Sequence, residues 1–456
     1  MGALAILQTF AALAGTAVAS AVPLYDVQVG PGAEFLEVEA RLPAGSSAPL
    51  VLADGGERFV RRAEVETPGG WQALPRTGAS FSASCLGGCH VRYRFLLHEA
   101  ATAFGDPRVA AQFADAYVAP PSTWLMHRSG QPDPGYRLEV RAPGGVQALC
   151  GLPRAAGTHG FEVSRADLRI APMCAFGAWR SQSIALGSSR ITLAIAPARF
   201  AMSDEDIRRW VAEAAGAIAS YYQGFPVRQL LLIVTPSSGR TLSGVTLGEG
   251  GASILLRVGT ETSAKGARSH WLLTHELMHL GFPSMSWRHA WIEEGMAVFG
   301  EPVVRNRAGM IGADAVWEEW LEHGPVGLPG AGDGGLERTH TWARTYWGGG
   351  LFWLVADVTL RERTGGTRSV DDVLRALARS GGNVEARWEM EEVLRVADAA
   401  AGTPVFTELF RSMAEAPGAP DLDALWKRLG ISFEQGRVVY DDRAPLASVR
   451  RAIAGR

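Results

Sequence analysis

The sequence predicts a multidomain α+β protein, with an N-terminal antiparallel β-sandwich, a mixed α/β unit and a mainly helical C-terminal region. From about Val22 to Pro197, short segments of alternating polar and apolar residues are broken by Gly and Pro, as is typical of antiparallel sheets. Apolar residues then recur at helical spacing, and beyond Phe299 the chain is mainly helical. Its 456 residues are enough for about two or three domains.

The composition excludes several classes of protein. Apolar residues make up 47% of the chain and charged residues 20%, which is typical of globular proteins. The formal net charge is −3 and lysine and arginine form no run, so we expect no nucleic-acid partner. After the N-terminal segment, no stretch reaches the ~18 apolar residues of a membrane helix. We therefore expect no stable membrane span in the mature chain, and the sequence does not indicate its oligomeric state.

The first residues, "MGALAILQTFAALAGTAVASAVP", resemble a secretory signal peptide in composition. The apolar run ends in small residues that fit a cleavage site, at Ala17 and Ala19 or at Ala19 and Ala21. Because Lys and Arg are missing before this run, an N-terminal anchor is the alternative. We predict a signal peptide over residues 1–21 and an exported protein, periplasmic or secreted.

The chain contains four cysteines, Cys85, Cys89, Cys150 and Cys174. An even number in an exported chain predicts two disulfides, most simply Cys85 with Cys89 and Cys150 with Cys174. A zinc cluster is the alternative, but "CLGGC" is the only close pair.

The α/β unit begins with a helix after Ser203, an N-cap followed by the acidic residues "DED", and this helix ends at Gly224. A strand, "QLLLIVTP", a glycine-rich turn and a second strand, "ASILLRV", follow. We predict one further helix from Ser263 to Gly281.

That last helix contains "SHWLLTHELMHLGF", residues 269–282. On a helix, His275 and His279 lie on one face and can bind one metal ion, with Glu276 beside them as a general base. The remaining positions are mostly apolar, so these polar groups are expected to be buried and to need a partner. A catalytic zinc site has three protein ligands, so a third ligand must come from elsewhere.

The next segment, "WIEEGMAVFGE", offers Glu293 and Glu294 as that third ligand. Gly295 permits a close helix approach, and Trp291, Glu294 and Val298 share one helix face. We therefore choose Glu294.

These residues resemble the gluzincin metallopeptidases, namely the aminopeptidase N family and the related glycyl aminopeptidases. His-Glu-x-x-His is followed by Trp-x-x-Glu-Gly-x-Ala-x-x-x-Glu, which Trp291, Glu294, Gly295, Ala297 and Glu301 match. The resemblance implies a thermolysin-like α/β zinc domain. It also implies that Glu294 is a zinc ligand and that Glu301 supports the site from outside the ligand set.

The resemblance continues at "TYWGGGLFWLVADVTLRERTGGTRSVDDVLRAL", where Tyr346 matches a tyrosine that stabilises the oxyanion in both families. Gly348 stands where those families usually have lysine. The end of this segment is most like the glycyl aminopeptidases, although we expect no PDZ domain before the last residue, Arg456. The alternative for Tyr346 is an aromatic residue at a helix start.

In the aminopeptidases, a glutamate in a glycine-rich motif upstream of the zinc helix binds the free amine of the substrate. Here the region reads "SGVTLGEGGASILL", in which Glu249 is the candidate. The surrounding residues do not match the motif, so a solvated turn glutamate is the alternative. We expect aminopeptidase action, with endopeptidase action as the alternative.

The prediction is therefore a zinc-dependent metallopeptidase with one zinc ion per chain and a peptide or protein substrate. Glu276 is the general base and Tyr346 stabilises the oxyanion. We divide the chain into a signal peptide (1–21), an N-terminal β-domain (22–197), a thermolysin-like catalytic domain (198–300) and a helical part of the catalytic region (301–456). A catalytically inactive, peptidase-like envelope protein that binds peptides or a protein partner is the alternative.

Five tryptophans lie near these motifs in the sequence, and they have two interpretations. They line an apolar substrate pocket, or they fill a helical core. The residues are Trp271, Trp287, Trp291, Trp342 and Trp347.

Overall fold

The computed structural model describes residues 22–45, 47–130, 135–155, 157, 160–163 and 172–455. The predicted signal peptide, residues 1–21, lies outside these residues. The described chain is a multidomain α+β protein, as predicted. In this part of the chain, no helix combines the length and the apolar character needed to cross a membrane.

The N-terminal part consists mainly of short strands. Their order is a seven-stranded sheet, β14-β12-β1-β2-β8-β4-β5, and two four-stranded sheets, β13-β15-β10-β9 and β11-β3-β7-β6. The pairing is antiparallel apart from β1 with β12. The elements are β1 (Leu24–Val29), β2 (Leu36–Leu42), β3 (Leu50–Val51), β4 (Val60–Thr67), β5 (Gly70–Ala73), β6 (Arg76–Thr77), β7 (Ser80–Phe81), β8 (Cys89–Phe95), α1 (Leu97–Phe104), β9 (Ala111–Phe113), β10 (Ala116–Ala119), α2 (Pro121–Trp124), β11 (His127–Arg128), β12 (Tyr136–Arg141), β13 (Gln147–Cys150), β14 (Phe161–Val163) and β15 (Cys174–Gly177).

Both predicted disulfides are confirmed, and both lie in this β-rich part. Cys85 is bonded to Cys89, and Cys150 to Cys174. Cys150 and Cys174 are directly opposite each other on β13 and β15, so the second bond joins neighbouring strands. No cysteine is left for a zinc cluster.

A five-stranded sheet supports the predicted metal helix. Its order is β16-β17-β18-β20-β19, with β17, β18 and β20 parallel and β19 antiparallel at the edge. The elements are β16 (Arg180–Leu186), β17 (Ser189–Ile195), α3 (Asp204–Tyr222), β18 (Gln229–Ser237), β19 (Leu242–Leu247), β20 (Ser253–Gly259), α4 (Ala264–Ser269) and α5 (Leu272–His279).

Local signals explain α3, but two predictions in this unit were wrong. Ser203 caps α3 through a capping box with Asp206, as its sequence indicates. The supposed glycine-rich turn contains the edge strand β19. The single helix predicted from Ser263 to Gly281 is broken at His270, whose backbone is extended and whose Nδ1 accepts the N–H of Leu272 at 3.2 Å. The helix that carries the motif therefore starts only at Leu272.

The C-terminal part is mainly helical, as predicted, with one added β-hairpin. A π-helical turn, Arg344–Gly348, leads directly into α8. The elements are α6 (Ala290–Arg307), α7 (Ala313–His323), α8 (Gly349–Arg363), α9 (Val370–Arg379), α10 (Met390–Ala401), α11 (Val405–Leu409), α12 (Leu422–Leu429), β21 (Ile431–Glu434), β22 (Arg437–Tyr440) and α13 (Ala447–Ile453).

The two faces of the five-stranded sheet pack against different parts of the protein. One face, with Leu232 and Leu256, belongs to the large core that it shares with the helices. The other face, with Ile233 and Leu255, packs against the N-terminal β-rich part. β16 and β17 precede the predicted domain boundary at residue 197 yet pair with this sheet. The domain boundaries themselves stay a prediction.

Helices α6 and α8 meet at a glycine pair. A Cβ added to Gly295 would collide with the backbone of Gly349, and one added to Gly349 would collide with the carbonyl oxygen of Trp291. Since no side chain fits between the two backbones, this contact fixes how closely α6 approaches α8.

We expect the Gly295→Ala substitution to destabilise the protein by about 1–3 kcal/mol, because the added methyl group overpacks this contact. Gly216→Ala in α3 is the matched control, since nothing lies within 4 Å of its added Cβ. There, alanine should raise stability by up to about 1 kcal/mol. Urea-induced unfolding measures both free energies, and equal effects of the two substitutions would contradict the proposed role of the contact.

Candidate metal centre

The helix α5 brings His275 and His279 to one face, as their spacing predicts. Their Nε2 atoms lie 3.4 Å apart. His275 is only 4% exposed, and the side chain of His279 is 15% exposed. Two imidazole nitrogens directed at one point in a buried site are typical metal ligands.

The helix α6 adds a carboxylate to the two imidazoles. Glu294 Oε2 lies 3.2 Å from His275 Nε2 and 3.6 Å from His279 Nε2. Four ligands at the zinc distance of ~2.0–2.1 Å in a tetrahedron are separated by about 3.3–3.4 Å from one another. The three donor atoms therefore have the spacing that a tetrahedral zinc ion requires. Among the residues that the structure describes, these three form the one group of His, Cys, Asp or Glu side chains whose donor atoms lie close enough together to hold a metal ion.

The same geometry keeps Glu294 ionised. Burial favours its neutral form, but His279 and His275 lower the pKa of Glu294 well below its usual value. Burial likewise lowers the pKa of His279, but the attraction of Glu294 outweighs it and raises this pKa to about 9. Glu294 is thus held as a carboxylate, the form that binds a metal.

The neighbouring Glu293 has a different environment. Its Oε1 accepts the N–H of Met285 at 2.8 Å, which ties α6 to the segment after α5. Burial raises the pKa of Glu293 to about 7. Within the described chain, no imidazole nitrogen lies within 4 Å of this carboxylate. The geometry therefore agrees with the choice of Glu294 as ligand.

Glu276 lies between α5 and the edge strand β19. Its Oε2 accepts the hydroxyl of Thr246 at 2.7 Å. Gly244, two residues earlier on the same face of β19, makes room for it, because a Cβ there would lie 2.8 Å from Glu276 Cγ. Sequence reasoning missed both partners, although the alternating "LSGVTL" was a strand signal.

Tyr346 reaches the same site from the π-helical turn before α8. Its ring stacks on that of His275, with centroids 6.3 Å apart and an interplanar angle of 15°. Burial, together with the charges of Glu294 and Glu276, raises the pKa of Tyr346 above its usual value. Its hydroxyl group therefore keeps its proton and can donate a hydrogen bond.

An arginine that sequence reasoning missed lies beside Gly348. A Cβ on Gly348 would lie 2.9 Å from a terminal nitrogen of Arg344. Arg344 lies 2.9 Å from the buried carboxylate of Asp333 and donates a hydrogen bond to the carbonyl oxygen of Gly327. The guanidinium group thereby braces the turn that carries Tyr346.

Glu301 and Glu249 are both buried and paired with arginines. Glu301 accepts a hydrogen bond from Arg305 at 2.8 Å, and Arg305 donates to the carbonyl oxygen of Ser269 at 2.7 Å. Glu301 thus supports the segment before α5 rather than an imidazole. Glu249 accepts from Arg387 at 3.0 Å and is 5% exposed, so it is not a solvated turn residue.

The five tryptophans divide between the two interpretations. Trp291 and Trp347 are buried in the helical core. Trp271, Trp287 and Trp342 are 43%, 78% and 64% exposed, so a core role does not explain them.

The sequence matches no protein-family model and no curated protein, but its fold matches solved structures of M1 zinc metallopeptidases. An aminopeptidase N family protein from Idiomarina loihiensis is 14% identical with a TM-score of 0.68, over 90% of this chain and 78% of that one. The M1 zinc metallopeptidase from Deinococcus radiodurans is 15% identical with a TM-score of 0.55, over 88% and 94%. Legionella pneumophila aminopeptidase A is 11% identical with a TM-score of 0.55, over 87% and 49%. At these identities the similarity shows a shared fold.

We expect Glu294→Ala to weaken zinc binding by more than the ~10–100-fold that is typical of a residue outside the ligand set. Glu293→Ala is the matched control, because it removes a carboxylate from the adjacent residue and should leave zinc affinity nearly unchanged. Zinc content after dialysis and competition with a chelator measure the difference. If only the Glu293 variant lost zinc, the third ligand would be Glu293 and the assignment of Glu294 would be wrong.

Proposed function

We propose that this protein is a zinc-dependent metallopeptidase, with one zinc ion per chain held by His275, His279 and Glu294. The observation that carries the proposal is the convergence of their three donor atoms at 3.2–3.6 Å beside Glu276. The fold shared with M1 zinc metallopeptidases supports it. An inactive relative would be expected to have lost a ligand or the base, and this chain has kept them.

Each residue has a separate role in hydrolysis. A zinc ion held by His275, His279 and Glu294 would supply a Lewis acid and would lower the pKa of a water molecule toward ~7. Glu276 accepts a proton from the attacking water and delivers it to the leaving amine. The Thr246 hydroxyl holds the Glu276 carboxylate in place for both transfers. The Tyr346 hydroxyl donates a hydrogen bond to the oxygen on which negative charge develops.

The proposed substrate is a peptide, and aminopeptidase action is favoured over endopeptidase action. A mutant of the Deinococcus radiodurans enzyme has been solved bound to a Tyr-Ser-Ala substrate. Here Glu249 is the candidate for binding the substrate amine. Burial raises the pKa of Glu293, the neighbour of Glu294, and the charge of Glu249 adds to this effect. Because Glu249 is paired with Arg387, an incoming amine would have to compete with that guanidinium group.

The finer assignments remain proposals. We propose that the chain is closest to the glycyl aminopeptidase branch, through the segment after Tyr346. We also propose export to the periplasm or the medium, which the two disulfides support. The proposed division is a β-domain over residues 22–197 and a catalytic region over 198–456, divided at residue 300.

Zinc stoichiometry and peptide hydrolysis, measured on one preparation before and after chelation, test the proposal. Aminoacyl amides report on aminopeptidase action, and internally quenched peptides with blocked amino termini report on endopeptidase action. One zinc ion with chelator-sensitive cleavage of the free-amine substrates alone would support the aminopeptidase. Cleavage of blocked peptides would make it an endopeptidase, and a chain without zinc and without cleavage would refute the proposal.

We expect Glu276→Gln to retain zinc and to lower kcat by about 10²–10⁴-fold, because an amide cannot accept the proton. Thr246→Val removes only the hydroxyl that orients Glu276, so we expect kcat to fall less in this variant, by about 10-fold. Zinc content and kcat are measured on both variants. Loss of zinc from the Glu276 variant would mean that this carboxylate is a ligand rather than the base.

The Tyr346→Phe substitution tests whether Tyr346 stabilises the oxyanion or only packs as an aromatic residue at a helix start. Phenylalanine keeps the ring on His275 but removes the hydroxyl donor. We expect kcat to fall by about 10²–10³-fold, with unchanged zinc content and stability. Wild-type kcat in this variant would restrict Tyr346 to packing.

A further inference from the structure

Two exposed tryptophans lie beside the candidate metal centre. Trp271 and Trp342 are 43% and 64% exposed, whereas tryptophan is usually highly buried because of its large apolar surface. Leaving such a side chain in water forgoes the free energy gained by burying it. Both indoles therefore present apolar surface that a bound molecule beside the candidate metal centre can cover.

Ring contacts join both tryptophans to residues of the proposed mechanism. The Trp271 ring meets the His275 ring edge to face, with centroids 5.2 Å apart and an angle of 79°. Trp342 stacks on Tyr346, with centroids 5.8 Å apart and an angle of 25°. His275 also stacks on Tyr346, and His270 stacks on Trp271 with centroids 5.5 Å apart, so ring contacts link five rings in series. In this series the proposed metal ligand and the proposed oxyanion donor lie between the two tryptophans.

The sequence places both tryptophans by the same device. Trp271 is the N-cap residue of α5 and precedes His275 by four residues. Trp342 begins the helical segment before the π-helical turn and precedes Tyr346 by four residues. Residues four apart on a helix lie on one face, so each tryptophan borders the reacting group on its own helix.

We propose that Trp271 and Trp342 form a specificity subsite for a large apolar side chain, aliphatic or aromatic, next to the peptide bond that is cleaved. This inference rests on the proposed peptidase function and adds the class of side chain. Two indole rings offer apolar area and ring faces, so an apolar side chain gains by covering them. A small polar side chain leaves them in water.

The competing explanation is that the tryptophans only hold His275 and Tyr346 in position. That role would lower turnover of every substrate by the same factor. A subsite lowers kcat/KM for apolar substrates and leaves that for small polar substrates nearly unchanged. The ratio between the two substrate classes therefore distinguishes specificity from positioning.

Trp287 provides a matched control within the chain. It is 78% exposed, and its ring partner is His340, with centroids 5.1 Å apart. In the described residues it makes no ring contact with His275, His279 or Tyr346. Trp287→Ala thus removes an exposed indole without removing a neighbour of the reacting groups.

The test compares the zinc-loaded wild-type protein with its Trp271→Ala, Trp342→Ala and Trp287→Ala variants. Leucine and serine are placed at the amino side of the cleaved bond, in aminoacyl amides and in blocked, internally quenched peptides. Binding of leucine hydroxamate and serine hydroxamate, measured by calorimetry, provides a readout that needs no turnover. We expect the wild type to prefer leucine and each of the first two substitutions to reduce this preference by about 10-fold or more. Trp287→Ala should change it by less than about 2-fold.

Each other outcome has a definite meaning. Equal losses for leucine and serine, an equal effect of Trp287→Ala, or a wild type without preference in either assay would overturn the subsite. A wild type that hydrolyses no peptide, yet prefers leucine hydroxamate until Trp271 or Trp342 is replaced, would refute the proposed peptidase function and support the subsite. Trp271→Phe and Trp342→Phe, which retain an aromatic ring, should keep part of the preference.

Discussion

The backbone contact between Gly295 and Gly349 is the constraint on which the site depends. Gly295 follows Glu294 on α6, and Gly349 begins α8 three residues after Tyr346. Because the two backbones touch, the position of α6 determines that of α8. One packing contact thus relates the carboxylate that faces the imidazoles to Tyr346, whose ring stacks on His275. The rest of the fold places α5 against this pair of helices.

Buried ionic groups fix the segments that enter these helices. Glu337, 4% exposed, accepts hydrogen bonds from His289 Nδ1 at 2.7 Å and from Trp291 Nε1 at 2.8 Å, which anchors the start of α6. Arg344 and Asp333 anchor the turn before α8 in the same way. Buried ion pairs contribute little net stability, because desolvation offsets their attraction, but breaking one leaves an uncompensated charge. Here these contacts tie Glu337 to the start of α6 and Asp333 to the turn before α8.

The sequence predicted the parts of the site that depend on local spacing. His275 and His279 follow from an i, i+4 pair, and the disulfide between Cys85 and Cys89 from a close pair. Glu294 was chosen over Glu293 because of its helix face and of Gly295, and the structure places it against both imidazoles. These inferences needed only the period of a helix and the reach of a turn.

Long-range contacts decided what the sequence did not predict. The edge strand β19 is stable only because β20 pairs with it, so its short, glycine-containing segment resembled a turn. His270 interrupts a helical pattern by accepting the N–H of Leu272, a choice that composition does not reveal. Arg344 fills the space left by Gly348, yet nothing in "RTYWG" identifies Asp333, 11 residues earlier, as its partner. Similarly, the sequence around Glu337 does not indicate that this residue accepts hydrogen bonds from His289 and Trp291.

The edge strand also gives the two glutamates at the candidate metal centre different environments. Glu294 meets two imidazole nitrogens, so its charge is matched by groups that converge on a cation. Glu276 meets the hydroxyl of Thr246, which orients the carboxylate without adding a positive charge. A ligand has to remain ionised and fixed, whereas a base has to gain and lose a proton during each turnover. The contacts of Glu294 with the imidazoles of α5 therefore fit the proposed ligand, and the contact of Glu276 with the hydroxyl of β19 fits the proposed base.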